Sequence, residues 1–136
     1  MTSRTKIVLS LTAGLILLAG AVCGGCLYQG VVDVSEVARV SDAFMDDLAA
    51  GRLEAAYAST AQATKAVTTE EAFRAAYDFY PALKNQAGRA PGRWRIRNGD
   101  QAEVLYRIPN PPNPVTMSVS LRKEGGRWRV QGFGLP

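Results

Sequence analysis

The chain of 136 residues contains no histidine. That removes the commonest general base and metal ligand, and with it any Ser–His or Cys–His nucleophile. Cysteine is nearly absent too: Cys23 and Cys26 are the only two, so the chain beyond Cys26 has no disulfide framework. Zinc has no ligand set, and neither a metal site nor a cofactor is expected. No glycine-rich phosphate loop follows a strand; Gly125-Gly126 separates two strand-like runs and reads as a hairpin turn. Internal repeats and low-complexity segments are missing as well.

Charge is absent from one long stretch. Ile7–Tyr28, IVLSLTAGLILLAGAVCGGCLY, is 22 residues without a single ionisable acid or base other than its thiols and terminal tyrosine. A membrane-spanning helix needs about 20 such residues. Arg4 and Lys6 precede the run, while Asp33 and Glu36 come after it, so the positive flank belongs on the cytoplasmic side and the rest of the chain outside. Three fates stay open for the run. It can remain as a single-pass anchor, the favoured reading. Ala19-Gly20-Ala21 offers a small-x-small cleavage pattern that would release a secreted domain. Cys23 or Cys26 could carry a lipid, although Gly20 and Val22 before Cys23, and Cys23 and Gly25 before Cys26, match the usual lipoprotein box poorly. Cys23-Gly24-Gly25-Cys26 is formally a C-x-x-C, but it ends an apolar run instead of opening a helix beside a strand, where a reactive thiolate would form. Residues 1–30 are therefore assigned to a signal anchor and 31–136 to one exported domain.

The net charge of +4 conceals an asymmetry. Val31–Gly88 holds five Lys/Arg against nine Asp/Glu, and Arg89–Pro136 holds nine against three. A late cluster of arginines suits an anionic lipid or acidic envelope polymer, or is simply a solvated strand face, the better-supported reading. Nucleic acid is not an expected partner, because export separates the domain from it.

Helical periodicity comes first. Asp33 with Glu36 can cap a helix running to about Ala50 and ending at Gly51. Val37, Val40, Phe44 and Leu48 form its apolar stripe, and Asp42, Asp46 and Asp47 lie off it. Leu53–Tyr57 starts a second, shorter helix. Gln62–Val67 reads as connector. Thr68 with Glu71 makes a capping box for a third helix carrying Phe73, Ala76, Tyr77 and Tyr80, which Pro81 ends. Ala82–Gly92 reads as loop. From Arg93 the period changes to two. Trp94 and Ile96 alternate with arginines, and Asn98-Gly99-Asp100 reads as a turn with positive φ. Ala102, Val104, Tyr106 and Ile108 form the apolar side of a second strand. After the stiff PNPPNP loop, Val115, Met117, Val119 and Leu121 form that of a third. Trp128 and Val130 mark a fourth. The expected fold is α+β: the N-terminal transmembrane or signal helix, then three helices packed on a four-stranded antiparallel sheet.

Phe44–Tyr57 (FMDDLAAGRLEAAY), Thr68–Phe73 and Gly125–Phe133 (GGRWRVQGF) carry a resemblance over about Val34 to Leu135. The chain resembles the nuclear transport factor 2-like, cystatin-like α+β cone, and most of all its small membrane-anchored bacterial envelope members. The resemblance implies a curved sheet that wraps a helix and can leave an apolar pocket. It implies a place on the outer face of a bacterial cell membrane. Some members are isomerases or dehydratases and others bind ligands or partners, so the fold alone selects no activity.

In an isomerase-like pocket a buried carboxylate moves a proton while tyrosine hydroxyls stabilise an oxyanion. The weak candidates are Asp78, Tyr77 and Tyr106, although Asp78 and Tyr77 are sequence neighbours and do not share a helix face. Tyr57, Tyr77, Tyr80, Tyr106, Trp94 and Trp128 are candidates to line a ligand pocket. Their apolar registers are equally met by plain core packing. The favoured expectation is a non-enzymatic, membrane-anchored binding domain for an envelope protein or an apolar ligand. The alternatives are a small pocket enzyme and a lipid- or anionic-polymer-binding module, the last predicting that Arg95, Arg97, Arg107 and Arg129 form one patch.

Overall fold

Helix α1 is helical over residues 34–49 and stops where the chain reaches Gly51. Gly51 takes φ +72°. Gly51 N donates to Leu48 O at 3.2 Å and Arg52 N to Asp47 O at 2.9 Å, the paired bonds that close a helix on a left-handed residue. The computed structural model describes residues 34–136. The run Ile7–Tyr28, Cys23, Cys26 and Asp33 lie outside the described residues, among which no helix is long and apolar enough to cross a membrane. Glu36–Pro136 form one compact unit.

Among the described residues four α-helices stand where three were expected after the N-terminal segment. After α1 come α2 (Leu53–Ala58), α3 (Gln62–Val67), α4 (Glu70–Phe79) and a 3-10 turn over Pro81–Leu83. The additional helix is α3, which the sequence reads as connector. Its N-cap residue Ala61 offers no capping side chain. The cap comes from Glu124, whose carboxylate oxygens accept from Gln62 N at 2.9 Å and Ala63 N at 3.3 Å. Two carboxylate bonds to the first orphan N–H groups substitute for a local cap. These bonds hold the Glu124 carboxyl below its usual range.

The cap of α4 is also displaced. Thr69, not Thr68, is the N-cap: its Oγ1 accepts from Ala72 N at 3.1 Å. Thr68 ends α3, and its carbonyl accepts from the Tyr57 hydroxyl at 2.7 Å. A segment expected as loop is core at one point, since Leu83 is fully buried.

The sheet has the order β1-β2-β3-β4 and is antiparallel throughout: β1 (Arg93–Asn98), β2 (Gln101–Ile108), β3 (Val115–Glu124) and β4 (Arg127–Gly134). Ala102, Val104, Tyr106 and Ile108 pair with Leu121, Val119, Met117 and Val115. They form one apolar face, packed with Val37, Phe44, Met45, Leu48, Phe73 and Tyr77 from the helices. Positive φ is found at Gly125 and Gly126, in the β3–β4 turn, and not at Asn98 or Gly99. The primed-turn geometry therefore belongs to the second hairpin.

A register shift lies between Ser120 and Leu121, which pair with Gly132 and Val130. Gln131 is the extra residue, so Val130 and Phe133 face the same side at a spacing of three, as a bulge requires. Phe133 thereby meets Phe44 and Phe73 at centroid distances of 5.8 and 5.4 Å. Thr60 forms a parallel bridge to Val130, and Ala61 N donates to Val130 O at 2.7 Å. The β4 edge is thus closed where it meets the α2–α3 junction. Among the described residues β1 is the open edge.

Candidate binding surface

The tyrosines expected to line a pocket spend their hydroxyls inside the fold. Tyr57 donates to Thr68 O, and Tyr77 donates to Leu48 O at 3.0 Å. Tyr106 is fully buried on β2, with its Oη 2.5 Å from Asp42 Oδ1 and 2.7 Å from Ser41 Oγ. One phenolic proton serves one acceptor, and the carboxylate is the stronger. Burial, followed by the bond to Asp42, pushes the Tyr106 phenol up from its usual value. Arg89 lies over the same ring at 5.2 Å and donates to Gln86 Oε1 and Asp46 Oδ1. This cluster ties the segment after α4 to α1 and β2.

Tyr80 is half-buried against Phe133 and the exposed Phe79. Trp128 is buried beneath Lys123, whose Nζ lies 5.7 Å over the ring. Trp94 departs from the core reading: it is 48% exposed. It pairs with Val104 and therefore shares the apolar face, but β1 is the edge strand and the helical layer does not cover it. Asp78 departs from the catalytic reading. Its side chain is 67% exposed and accepts from Lys84 Nζ at 2.7 Å, a bond that raises the Lys84 ammonium. It is not a buried carboxylate facing a tyrosine.

The tyrosine–carboxylate contact that does exist, Tyr106–Asp42, escapes sequence reasoning because Asp42 lies off the apolar stripe of α1. Ser41 carried the available signal. It falls four residues after Val37, and it is as buried as its apolar neighbours.

The other face of the sheet is where charge gathers. By the two-residue alternation it holds Arg93 and Arg95 on β1, Arg107 on β2, Arg122 on β3, and Arg127 and Arg129 on β4; Arg97, unpaired at the β1 register shift between Ile96 and Asn98, reaches the same face through Glu103. Among the described residues of these strands, Leu105 is the one large apolar side chain on that face. Near the middle of the face sits Glu103, its side chain 12% exposed, accepting from Arg95 Nη2 at 2.9 Å, Arg97 Nη2 at 3.0 Å and Ser118 Oγ at 2.7 Å. These bonds, Ser118 first, hold the Glu103 carboxyl down at about 2. Arg122 pairs directly with Arg129, and Gln101 pairs with both Arg122 and Asn98. Arg95, Arg97, Arg122 and Arg129 therefore collect towards the turn end of the face. Arg107 lies apart, six residues along β2 from Gln101, or about 20 Å.

A separate groove of about 690 Å³ runs between α1 and β4, lined in part by Arg39, Phe44, Asp47, Arg127 and Trp128. Asp47 in this groove is already paired with Arg52 at 2.9 Å. Among the described residues no group of three or more His, Cys, Asp or Glu is placed to hold a metal ion. No protein-family model matches the chain, and no curated protein matches it in sequence.

Proposed function

We propose that this chain is a non-enzymatic binding domain of nuclear transport factor 2-like type. In this reading Ile7–Tyr28 holds it on the outer face of a bacterial cell membrane, and it recognises an acidic partner protein through its arginine-bearing sheet face. The observation that carries the reading is the outer face itself. Among the described residues seven arginines stand on it and Glu103 is the one carboxylate among them, since Glu124 turns away to cap α3. A surface of one sign raises the encounter rate with partners of the other and selects against like-charged ones. The enzyme reading has less support. Asp78 is exposed and paired, and Tyr106 already donates to Asp42.

Two measurements on the full-length chain test this. Fractionation after expression in a bacterial host, followed by protease treatment of intact spheroplasts, is expected to give a membrane-bound protein cleaved from outside; a protected or cytosolic protein overturns the placement. The detergent-extracted chain is expected to be retained on immobilised poly-glutamate and released as salt rises. The double variant R122E/R129E should elute markedly earlier. Equal retention of both proteins overturns the binding face.

A further inference from the structure

We propose that the free edge of the sheet, strand β1, takes an extended segment of the acidic partner as a fifth strand. The partner's carboxylates would lie on the arginine side and its apolar residues on the Trp94 side. This rests on the reading of the partner as acidic and adds where and how it docks.

The backbone is the first argument. β1 pairs only with β2, and no other described backbone group bonds to Arg93–Asn98. In an antiparallel pair alternate residues turn both N–H and C=O away from the partner strand, so β1 presents a row of donors and acceptors that an added strand satisfies. The opposite edge of the sheet is already bridged by Thr60 and Ala61.

The side chains select the occupant. Arg95 and Arg97 share the single carboxylate of Glu103, and Arg93 makes no ion pair among the described residues. One side of β1 thus carries three guanidiniums against one carboxylate. On the other side Trp94 is 48% exposed and Ile96, half-buried, continues the core face past Ala102. Along Arg93–Ile96, ahead of the register shift between Ile96 and Asn98, acidic and apolar residues in alternation complement both sides at once.

Arginine on an edge strand is also a common device against sheet-to-sheet pairing. That device explains Arg93, Arg95 and Arg97 but not a half-exposed tryptophan between two of them. The same charges argue against a second copy of this chain. If two β1 strands pair with their helices on the same side, arginine falls opposite arginine in every register.

The test uses the full chain in detergent and a blocked synthetic peptide of about ten residues alternating glutamate and valine, long enough to cover the edge. Binding is read by Trp94 emission, with Trp94→Phe identifying the signal, and by hydrogen exchange of the β1 amides. The peptide is expected to shift the emission to the blue, to slow exchange in β1, and to weaken as salt rises. The same peptide N-methylated at alternate amides should not bind when the methyls face β1. A lysine–valine peptide should bind at least about tenfold more weakly, and R93E should weaken the glutamate–valine peptide by about tenfold, since a like charge then faces it. R93E spares the Glu103 network, so loss of binding is not loss of fold. Equal binding of both peptides, unchanged β1 exchange, or a peptide-free dimer that pairs through β1 overturns the proposal. If R122E/R129E abolishes binding while R93E does not, the outer-face reading survives and the edge proposal fails. If the glutamate–valine peptide does not bind and the chain is not retained on poly-glutamate either, both fail.

Discussion

Three donors converge on one carboxylate at Glu103, and the consequence is a pH dependence of definite sign. Its pKa falls from 4.5 to about 2 on folding. A depressed carboxylate stabilises the fold fully above its unfolded value, and that stabilisation is lost as pH falls through the folded value. Urea midpoints are expected to drop between pH 4.5 and about 2. Glu103→Gln should flatten that limb and cost about 1–2 kcal/mol at neutral pH, where Arg95, Arg97 and Ser118 lose a charged acceptor. A Gln variant with an unchanged acid limb would assign the limb to other carboxylates. Gly92 is a second residue with a strict requirement. A Cβ there would lie 2.6 Å from Val104 Cγ1 and 2.8 Å from Tyr106 Cε1. Tyr106 is fully buried and held by Asp42, so its ring has little room to yield. Gly92→Ala is expected to cost about 1–3 kcal/mol, measured by thermal unfolding, and a stability equal to the parent would show that the entry to β1 shifts freely.

At the scale of elements, the caps separate what is local from what is not. Thr69 holds Ala72 N through its side chain, whereas Thr68 contributes its carbonyl to Tyr57. Thr69→Ala should therefore destabilise by about 1 kcal/mol in chemical denaturation, and Thr68→Ala should cost much less; the reverse order would restore the capping box at Thr68. The pattern Thr-Thr-Glu-Glu announces a helix start without choosing between two adjacent threonines. Helix α3 is a deeper case. Its N-terminal donors are met by Glu124, 62 positions away, so no window of the sequence around Gln62 contains the reason it is helical. Gln131 illustrates the same point in a strand. Strict alternation would send Phe133 outwards, and the bulge against Ser120 and Leu121 turns it inwards, where it completes the aromatic cluster with Phe44 and Phe73.

For the whole molecule the two faces of the sheet have separate duties. The apolar face carries the packing with the helices, and the arginine face lies outside that core. Stability and binding should accordingly come apart. R122E/R129E is expected to leave the unfolding free energy within about 0.5 kcal/mol of the parent, as surface substitutions do, while losing retention on poly-glutamate. A large loss of stability would mean that these arginines support the fold through Glu124 and α3. Several things were determined by the sequence alone. The absence of histidine excludes a family of mechanisms, and the switch from a 3.6- to a 2-residue period marks where helices end and the sheet begins. Tyr106, Val119, Met117 and Trp128 were legible as core from alternation, because the side of a strand depends only on counting. The tertiary structure decided the rest. It set Asp42 against Tyr106, left Asp78 in solvent, and placed Arg107 away from Arg97, Arg122 and Arg129. It also left Trp94 half-exposed, because the helical layer does not cover the edge strand. Periodicity is a property of neighbours along the chain, whereas exposure and hydrogen-bond partnership are settled by groups that meet only after the chain has folded.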